Sequence, residues 1–157
     1  DFCLSRGLGD VYKRQARILN PLAARCGLQS IFHPGYQAVH REASQLLGDH
    51  AIVVKGDGGE IELNPDAVCH LYGTERGENW DEDWPMLSER RHVKPERLDP
   101  THLQAVWRGE AEDAYGQLAI IATMALALRG LGLQREAAFA EAEKRWQARH
   151  LSSQPIR

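Results

Sequence analysis

The alternation of apolar and polar positions divides the chain into a mixed front half and a helical back half. In the segment HPGYQAVHREASQLLG, residues 33–48, Pro34 suits a first helical turn and Gly48 suits a C-cap. The apolar residues between them recur at helical spacing: Tyr36, Val39, Ala43, Leu46 and Leu47. This pattern predicts one amphipathic helix.

Two strands are predicted directly after this helix. The run HAIVVKG, residues 50–56, is β-branched and bounded by turn residues, which indicates a buried strand. The run GEIELNP, residues 59–65, alternates as a half-exposed strand does. The Asp57-Gly58 pair between them predicts a tight hairpin. Residues 66–100 are rich in charge, glycine and proline and are predicted to form loops and short strands.

Helical patterns return from Pro100 onward. They predict a short helix ending near Gly109, a long helix from about Glu112 to Arg129, and a C-terminal helix from about Gln134 to His150. The last two helices are joined at GLGL, where Gly130 and Gly132 suit positive-φ turn conformations.

The longest apolar run, Leu118 to Leu128, lies inside the long helix. It is short for a membrane span and rich in alanine, so it predicts a buried core helix and no membrane association. Its small residues indicate close helix packing, within the subunit or across a dimer. Strands flanked by helices at the front, with helices alone at the back, predict an α/β fold with packed C-terminal helices.

Charge and cysteine content narrow the class of protein only slightly. The 157 residues carry 19 Lys and Arg against 22 Asp and Glu, a net charge of −3, which gives no electrostatic indication of nucleic-acid binding. Beyond residue 15, Cys26 and Cys69 have neither CxxC spacing nor the density of a disulfide scaffold. A reducing, cytoplasmic compartment is therefore predicted.

The first fifteen residues are predicted to be foreign to the folded protein. The segment SRGLGDVYKRQ, residues 5–15, matches the translation of a common sequencing-library transposon adapter. We therefore expect an artefactual leader at residues 1–15, a partial α/β domain at 16–151 and a frayed tail at 152–157. On this interpretation the natural N-terminal part of the protein is missing.

Three carboxylates lie around the predicted hairpin turn. Asp57, Glu60 and Glu62 fall within six residues, and the last two would share one face of the predicted strand. Carboxylate oxygens at this spacing are candidate ligands for Mg²⁺ together with a phosphorylated substrate. The alternative is a charged hairpin tip, which the spacing alone favours, because the pattern matches neither a P-loop nor a calcium loop.

A basic cluster lies in the segment ERRHVKPER, where two tryptophans precede it in the chain. Its cations are Arg90, Arg91, Lys94 and Arg97. Phosphate contacts with base stacking are one interpretation. A solvated surface is favoured instead, because glutamates dilute the charge and an acidic stretch adjoins it.

Other catalytic signatures are missing from the sequence. The seven histidines show no HxxxH or HxH pairing, which argues against zinc, and His33 before Pro34 suits a helix entrance better than a metal. No GxSxG elbow is present, so covalent catalysis has no local support.

Four segments in order resemble one known family. They are ILNPLA (18–23), FHPGYQAVHREASQLLG (32–48), AIVVKGDGGEIELNP (51–65) and LQAVWRGEAEDAYGQLAIIATMALALRGLG (103–132). Together they resemble the C-terminal half of anthranilate phosphoribosyltransferase-like proteins, the glycosyltransferase family 3 group. That family has a GPL.NP element, a helix ending in LG, a strand ending in a VHG.DG.DE loop, and a VL.G element before an alanine-rich helix.

The resemblance implies a two-domain homodimer that transfers a pentosyl group. In that family phosphoribosyl pyrophosphate reacts with anthranilate in tryptophan biosynthesis, with Mg²⁺ on the pyrophosphate and no covalent enzyme intermediate. Such catalysis depends on positioning and on electrostatic stabilisation of charge. The family's pyrophosphate loop precedes the LNP element, so the resemblance implies an incomplete site and no transferase activity for this chain alone.

The acidic loop is where this chain departs from the family. The family's Asp-Glu pair corresponds to Gly59-Glu60, so one carboxylate is kept, and Lys55 stands where the transferases usually have histidine. These departures resemble a divergent branch that keeps the fold and includes nucleic-acid-binding proteins without the biosynthetic activity. The alternative function is therefore nucleic-acid binding, with the basic cluster at residues 90–97 as its candidate surface.

Overall fold

The protein has an α/β fold built on a four-stranded mixed sheet. The structure, a computed structural model, describes residues 18–56, 60–89, 91–92 and 99–149. The predicted leader and tail lie outside these residues. The chain divides into two compact units: the first runs to Ile61 and adds residues 69–84, and the second joins residues 62–68 to the chain from Pro85 onward.

The first unit begins with a parallel strand pair and its crossover helix. Strand β1 (Gly27–Ile31) is followed by a 3₁₀ turn (Pro34–Tyr36), helix α1 (Gln37–Leu47) and strand β2 (Ala51–Lys55). The two strands pair in parallel from Gly27 opposite Ala51 to Ile31 opposite Lys55. Parallel strands require such a crossover, and helix α1 supplies it in eleven residues.

Two further strands complete the sheet. Strand β3 (Cys69–Glu75) pairs antiparallel with β2, and strand β4 (Glu78–Trp84) pairs antiparallel with β3, giving the order β1-β2-β3-β4. The turn between β3 and β4 has positive φ at both central residues, 53° at Arg76 and 81° at Gly77. Positive φ at both positions is the geometry of a two-residue type I′ hairpin.

Helix α1 is confirmed, but the face it turns to the sheet is polar. His40 and Ser44 are its buried residues, and both bond Gln29 of β1: Gln29 Nε2 donates to Ser44 Oγ at 3.0 Å, and His40 Nδ1 donates to Gln29 Oε1 at 3.0 Å. Because these buried polar groups satisfy each other, they can lie inside the unit without an unpaired group. The apolar side chains of the helix are largely exposed, 55% for Val39 and 89% for Leu46.

The flank of α1 is joined to the β3–β4 hairpin. Arg41 Nη1 lies 2.5 Å from Asp81 Oδ1, and Gln45 Nε2 donates to the carbonyl oxygen of Gly77 at 2.6 Å. Asn79 Nδ2 donates to Gln45 Oε1 at 3.2 Å. These contacts, together with the bonds to β1, fix the rotation of the helix on the sheet.

The second unit is helical. It contains helix α2 (Pro100–Arg108), helix α3 (Ala114–Gly130) and helix α4 (Arg135–Gln147). Asp99 and Asp113 cap the first two, each accepting a hydrogen bond from a backbone N–H of the first turn. These three helices confirm the sequence predictions to within a few residues at each end.

The core of the second unit is a tight contact between α3 and α4. Ala122, Ala125, Ala138 and Ala142 are all fully buried, and Leu126 lies among them. Alanines on both helices let the backbones approach closely, which confirms the close helix packing predicted within the subunit. The apolar run of α3 is therefore a core helix, as predicted.

Arg149 joins the C-terminal ends of α2 and α4. Its Nε donates to the carbonyl oxygen of Trp107 at 3.0 Å, and its Nη2 donates to that of Val106 at 3.1 Å. The guanidinium also lies 3.7 Å from the centre of the Trp146 ring. It thus adds hydrogen bonds at the C-terminal end of α2, where the carbonyl oxygen of Val106 also accepts a hydrogen bond from the N–H of Gly109.

The predicted second strand of the hairpin is wrong. Residues 60–64 have no regular secondary structure, and the neighbour of β2 in the sheet is β3, some dozen residues later in the chain. The Asp57-Gly58 turn lies outside the described residues. Strand β1 was not predicted, because GLQSI carries a single β-branched residue and no strict alternation.

We expect Arg76→Asn to raise the free energy of unfolding by about 1 kcal/mol, because asparagine adopts positive φ more readily than arginine does. Urea unfolding followed by circular dichroism measures the change. Arg76→Gln keeps the backbone penalty and should leave the stability unchanged; equal stabilisation by both variants would contradict the explanation.

We expect Ala142→Leu to lower the free energy of unfolding by about 1–3 kcal/mol, because a larger side chain overpacks the α3–α4 contact. Ala140→Leu on the exposed side of the same helix is the control and should change stability by less than about 0.5 kcal/mol. Thermal unfolding of both variants makes the comparison.

Candidate functional site

The best candidate site lies where β1 and β2 end. The carboxyl ends of parallel strands meet at one edge of a sheet, and ligands of open α/β sheets bind in the crevice outside that edge. In this chain the turn before α1 leaves from the end of β1, and the predicted acidic loop leaves from the end of β2. We call this place the carboxyl edge and define it by Ser30–Tyr36, Lys55, Gly56 and Glu60.

The backbones at this edge are in close contact. The N–H of Gly56 donates to the carbonyl oxygen of Ile31 at 2.9 Å, which continues the parallel pairing one residue past β2. A Cβ on Gly56 would lie 2.2 Å from the carbonyl oxygen of Glu60 and 2.3 Å from Ser30 Oγ. Glu60 therefore lies against the strand ends.

Charged side chains face solvent at the carboxyl edge. Lys55, the last residue of β2, and Glu60, the first described residue after the loop, are both exposed. A cation and a carboxylate at one strand end can serve a phosphorylated ligand in two ways, by attracting the phosphate and by binding its Mg²⁺.

Three aromatic rings follow β1 at the same edge. His33 contacts Phe32 edge-to-face with ring centres 4.8 Å apart. His33 also contacts Tyr36 edge-to-face, with ring centres 6.3 Å apart. His33 is at the N-cap position of the 3₁₀ turn that leads into α1, so the prediction that it lies at a helix entrance is confirmed. The three rings offer a partly exposed aromatic surface beside the strand ends.

The predicted acidic ligands do not form one described cluster. Asp57 lies outside the described residues, and Glu62 is exposed in the second compact unit. The prediction that Glu60 and Glu62 share a strand face is wrong, because residues 60–64 form no strand. No group of three or more His, Cys, Asp or Glu side chains suited to a metal occurs in the part of the chain that the structure describes.

Only one residue of the basic cluster lies within the part of the chain that the structure describes. Arg91 is exposed, and Arg90, Lys94 and Arg97 lie outside the described residues. Nucleic-acid binding by this cluster therefore stays a prediction.

The two described cysteines are poor nucleophiles. Burial raises the pKa of Cys26 to about 11, with a further increase from the Glu75 carboxylate. Burial also raises the pKa of Cys69 to about 11, and Asp83 adds to it. Both thiols are protonated near neutral pH, so they do not supply the reactive thiolate.

One polar cluster in the second unit was not predicted. The Asp66 carboxylate accepts hydrogen bonds from Ser88 Oγ, from the backbone N–H of His92 at 2.7 Å and from His92 Nδ1 at 3.0 Å. The Asp66 side chain is 9% exposed, and the His92 ring lies 4.9 Å from that of Tyr115. The sequence signal was limited to the Asn-Pro-Asp turn, since the partners lie 22 and 26 residues away.

This cluster is structural in character. Asp66 joins segment 62–68 to the chain after Pro85, and the N–H groups of Leu87 and Ser88 both donate to the carbonyl oxygen of Pro65. The Ser88 hydroxyl donates to the carboxylate and not to an imidazole, so the order of contacts differs from that of a nucleophilic triad.

Comparison with known proteins gives no family. The chain matches no protein-family model and no curated protein. Within the described ranges, no helix has the length and apolar character needed to cross a membrane.

We expect stability to fall between about pH 4 and pH 2 through Asp66. Hydrogen bonds from Ser88, chiefly, and from His92 lower the pKa of Asp66 from 3.8 to about 2. A carboxyl with a lowered folded-state pKa stabilises the protein fully above its unfolded pKa, and this contribution is lost as the pH falls through the folded value.

Urea midpoints measured across this pH range for the wild type and for Asp66→Asn test the expectation. The difference between the two should be largest above pH 4 and should shrink towards pH 2. Glu143→Gln, which neutralises an exposed carboxylate on α4, is the control and should give the wild-type midpoints throughout. A constant difference across the range would show that Asp66 does not act through its charge.

Proposed function

We propose that the carboxyl edge is the Mg²⁺-binding side of a glycosyltransferase site of the anthranilate phosphoribosyltransferase type. The observation that supports the proposal is the position of Glu60. The one carboxylate that matches the family's acidic pair lies at the ends of a parallel strand pair, against Gly56 and Ser30. This is the edge at which α/β folds bind phosphorylated ligands.

A single carboxylate is compatible with Mg²⁺. The ion keeps several waters and is commonly held by one or two carboxylates together with substrate phosphates. Glu60 is exposed and would bind the ion only as part of a complex with a pyrophosphate group. When bound, Mg²⁺ would supply positive charge that neutralises the pyrophosphate.

Each residue of the carboxyl edge would supply a different chemical group to the ligand. Glu60 provides the carboxylate, and the Lys55 ammonium, at the last position of β2, attracts the phosphate charge. The aromatic surface at Phe32 and His33 suits a planar group next to the sugar. The substrate class proposed is a phosphorylated pentose diphosphate such as phosphoribosyl pyrophosphate.

We expect Glu60→Gln to weaken Mg²⁺-dependent binding of phosphoribosyl pyrophosphate by about tenfold, or ~1.4 kcal/mol, because the amide loses the charge that holds the ion. Isothermal titration of the full chain with and without Mg²⁺ measures it. The matched control is Glu78→Gln, an exposed glutamate at the opposite edge of the same sheet, which should bind as the wild type does.

Two outcomes contradict the proposal. One is a wild-type chain whose binding does not depend on Mg²⁺, and the other is equal affinity for Glu60→Gln and the wild type. If the wild type instead binds single-stranded oligonucleotides with an affinity that falls steeply as salt rises, the nucleic-acid alternative replaces the transferase-type site.

A further inference from the structure

Gly56 occupies a point where three backbone segments meet. Its N–H bonds Ile31 of β1, and the chain that returns from the loop passes directly over its α-carbon. Its φ is not in the left-handed region, so glycine is required here by space and not by backbone conformation. Any side chain would collide with Glu60 and Ser30 at once.

Ser30 is the second residue that leaves no room for a side chain at Gly56. It is the penultimate residue of β1, it is 6% exposed, and its Oγ lies on the same side of Gly56 as the carbonyl oxygen of Glu60. The backbone of Glu60 thus lies against the strand ends, while the residue as a whole is exposed. Holding a ligand-binding group in place before binding lowers the cost of ordering it.

We propose that Ser30 and Gly56 are positioning residues that hold the end of the loop so that Glu60 is presented at the carboxyl edge. The role in ligand binding rests on the proposed function. The position of the loop end does not, and it can be measured by itself.

The first test is Gly56→Ala, with Gly27→Ala as its matched control. Gly27 lies at the other end of β1, outside the carboxyl edge, and a Cβ there would meet only the carbonyl oxygen of His50 at 3.9 Å, an ordinary contact. Trypsin cleaves after exposed lysines, and Lys55 immediately precedes Gly56. We expect cleavage after Lys55 to become at least about tenfold faster in Gly56→Ala and to stay at the wild-type rate in Gly27→Ala.

The ligand readout uses phosphoribosyl pyrophosphate with Mg²⁺. We expect Gly56→Ala to lose about tenfold or more in affinity, as Glu60→Gln does, and Gly27→Ala to lose none. The double variant Gly56→Ala with Glu60→Gln should then bind no more weakly than either single variant, because both remove the same contribution. Additive losses would overturn the positioning role.

The second variant, Ser30→Ala, removes only the hydroxyl. It tests the same inference if Gly56→Ala does not fold. We expect the variant to stay folded and to unfold cooperatively on heating, while cleavage after Lys55 rises severalfold. In the double variant Ser30→Ala with Gly56→Ala, the collision with the Glu60 carbonyl oxygen remains, so cleavage should be at least as fast as in Gly56→Ala alone.

Unchanged cleavage in both Gly56→Ala and Ser30→Ala overturns the inference. If the wild type fails to bind the ligand but both variants expose Lys55 to trypsin, the proposed function fails while the positioning of the loop end stands. If the wild type binds and the variants change cleavage without changing affinity, the loop end is held as described but does not position Glu60.

Discussion

The parallel pairing of β1 with β2 is the constraint on which the first unit depends. Parallel strands cannot be joined by a tight turn, so the chain must leave at one edge of the sheet and return at the other. Helix α1 makes this crossover, and both the turn with His33 and the loop with Glu60 consequently leave from the carboxyl edge. The location of the candidate site is thus a consequence of topology and not of any one motif.

A polar contact between β1 and α1 sets how the crossover helix lies. Hydrogen bonds are directional, and the pair that joins Gln29 to His40 and Ser44 allows fewer rotations of the helix than an apolar layer would. This rotation points Arg41 and Gln45 at the β3–β4 hairpin. It also leaves the helix's regular apolar side chains facing outward, opposite to the orientation typical of an amphipathic helix.

The correct sequence predictions share a local cause. Helices α1 to α4 carry their signals within a few residues: caps at Asp99 and Asp113, glycines at the C-terminal ends of α1 and α2, and apolar spacing between. Strand β2 was predicted because it is an unbroken β-branched run between turn residues. For the candidate site, carboxylate spacing and the family resemblance both pointed to Glu60, which stays a prediction. Nothing in the sequence indicated Ser30 and Gly56, because their contact joins two strand ends.

The errors have a common cause as well. Alternating residues at 59–65 resemble a strand, but a strand forms only where a neighbour accepts its hydrogen bonds, and the place beside β2 is taken by β3. By itself, then, the sequence determined the helices and their ends, since those depend on backbone bonds spanning about four residues. It also indicated strand β2, because a β-branched run between turn residues is a local signal. The tertiary structure alone decided the strand order, the inward face of α1, the partners of Asp66 and the meeting of Ser30, Gly56 and Glu60. Each of these depends on which distant surfaces pack together, a choice made by the summed contacts of the whole unit and by no local pattern.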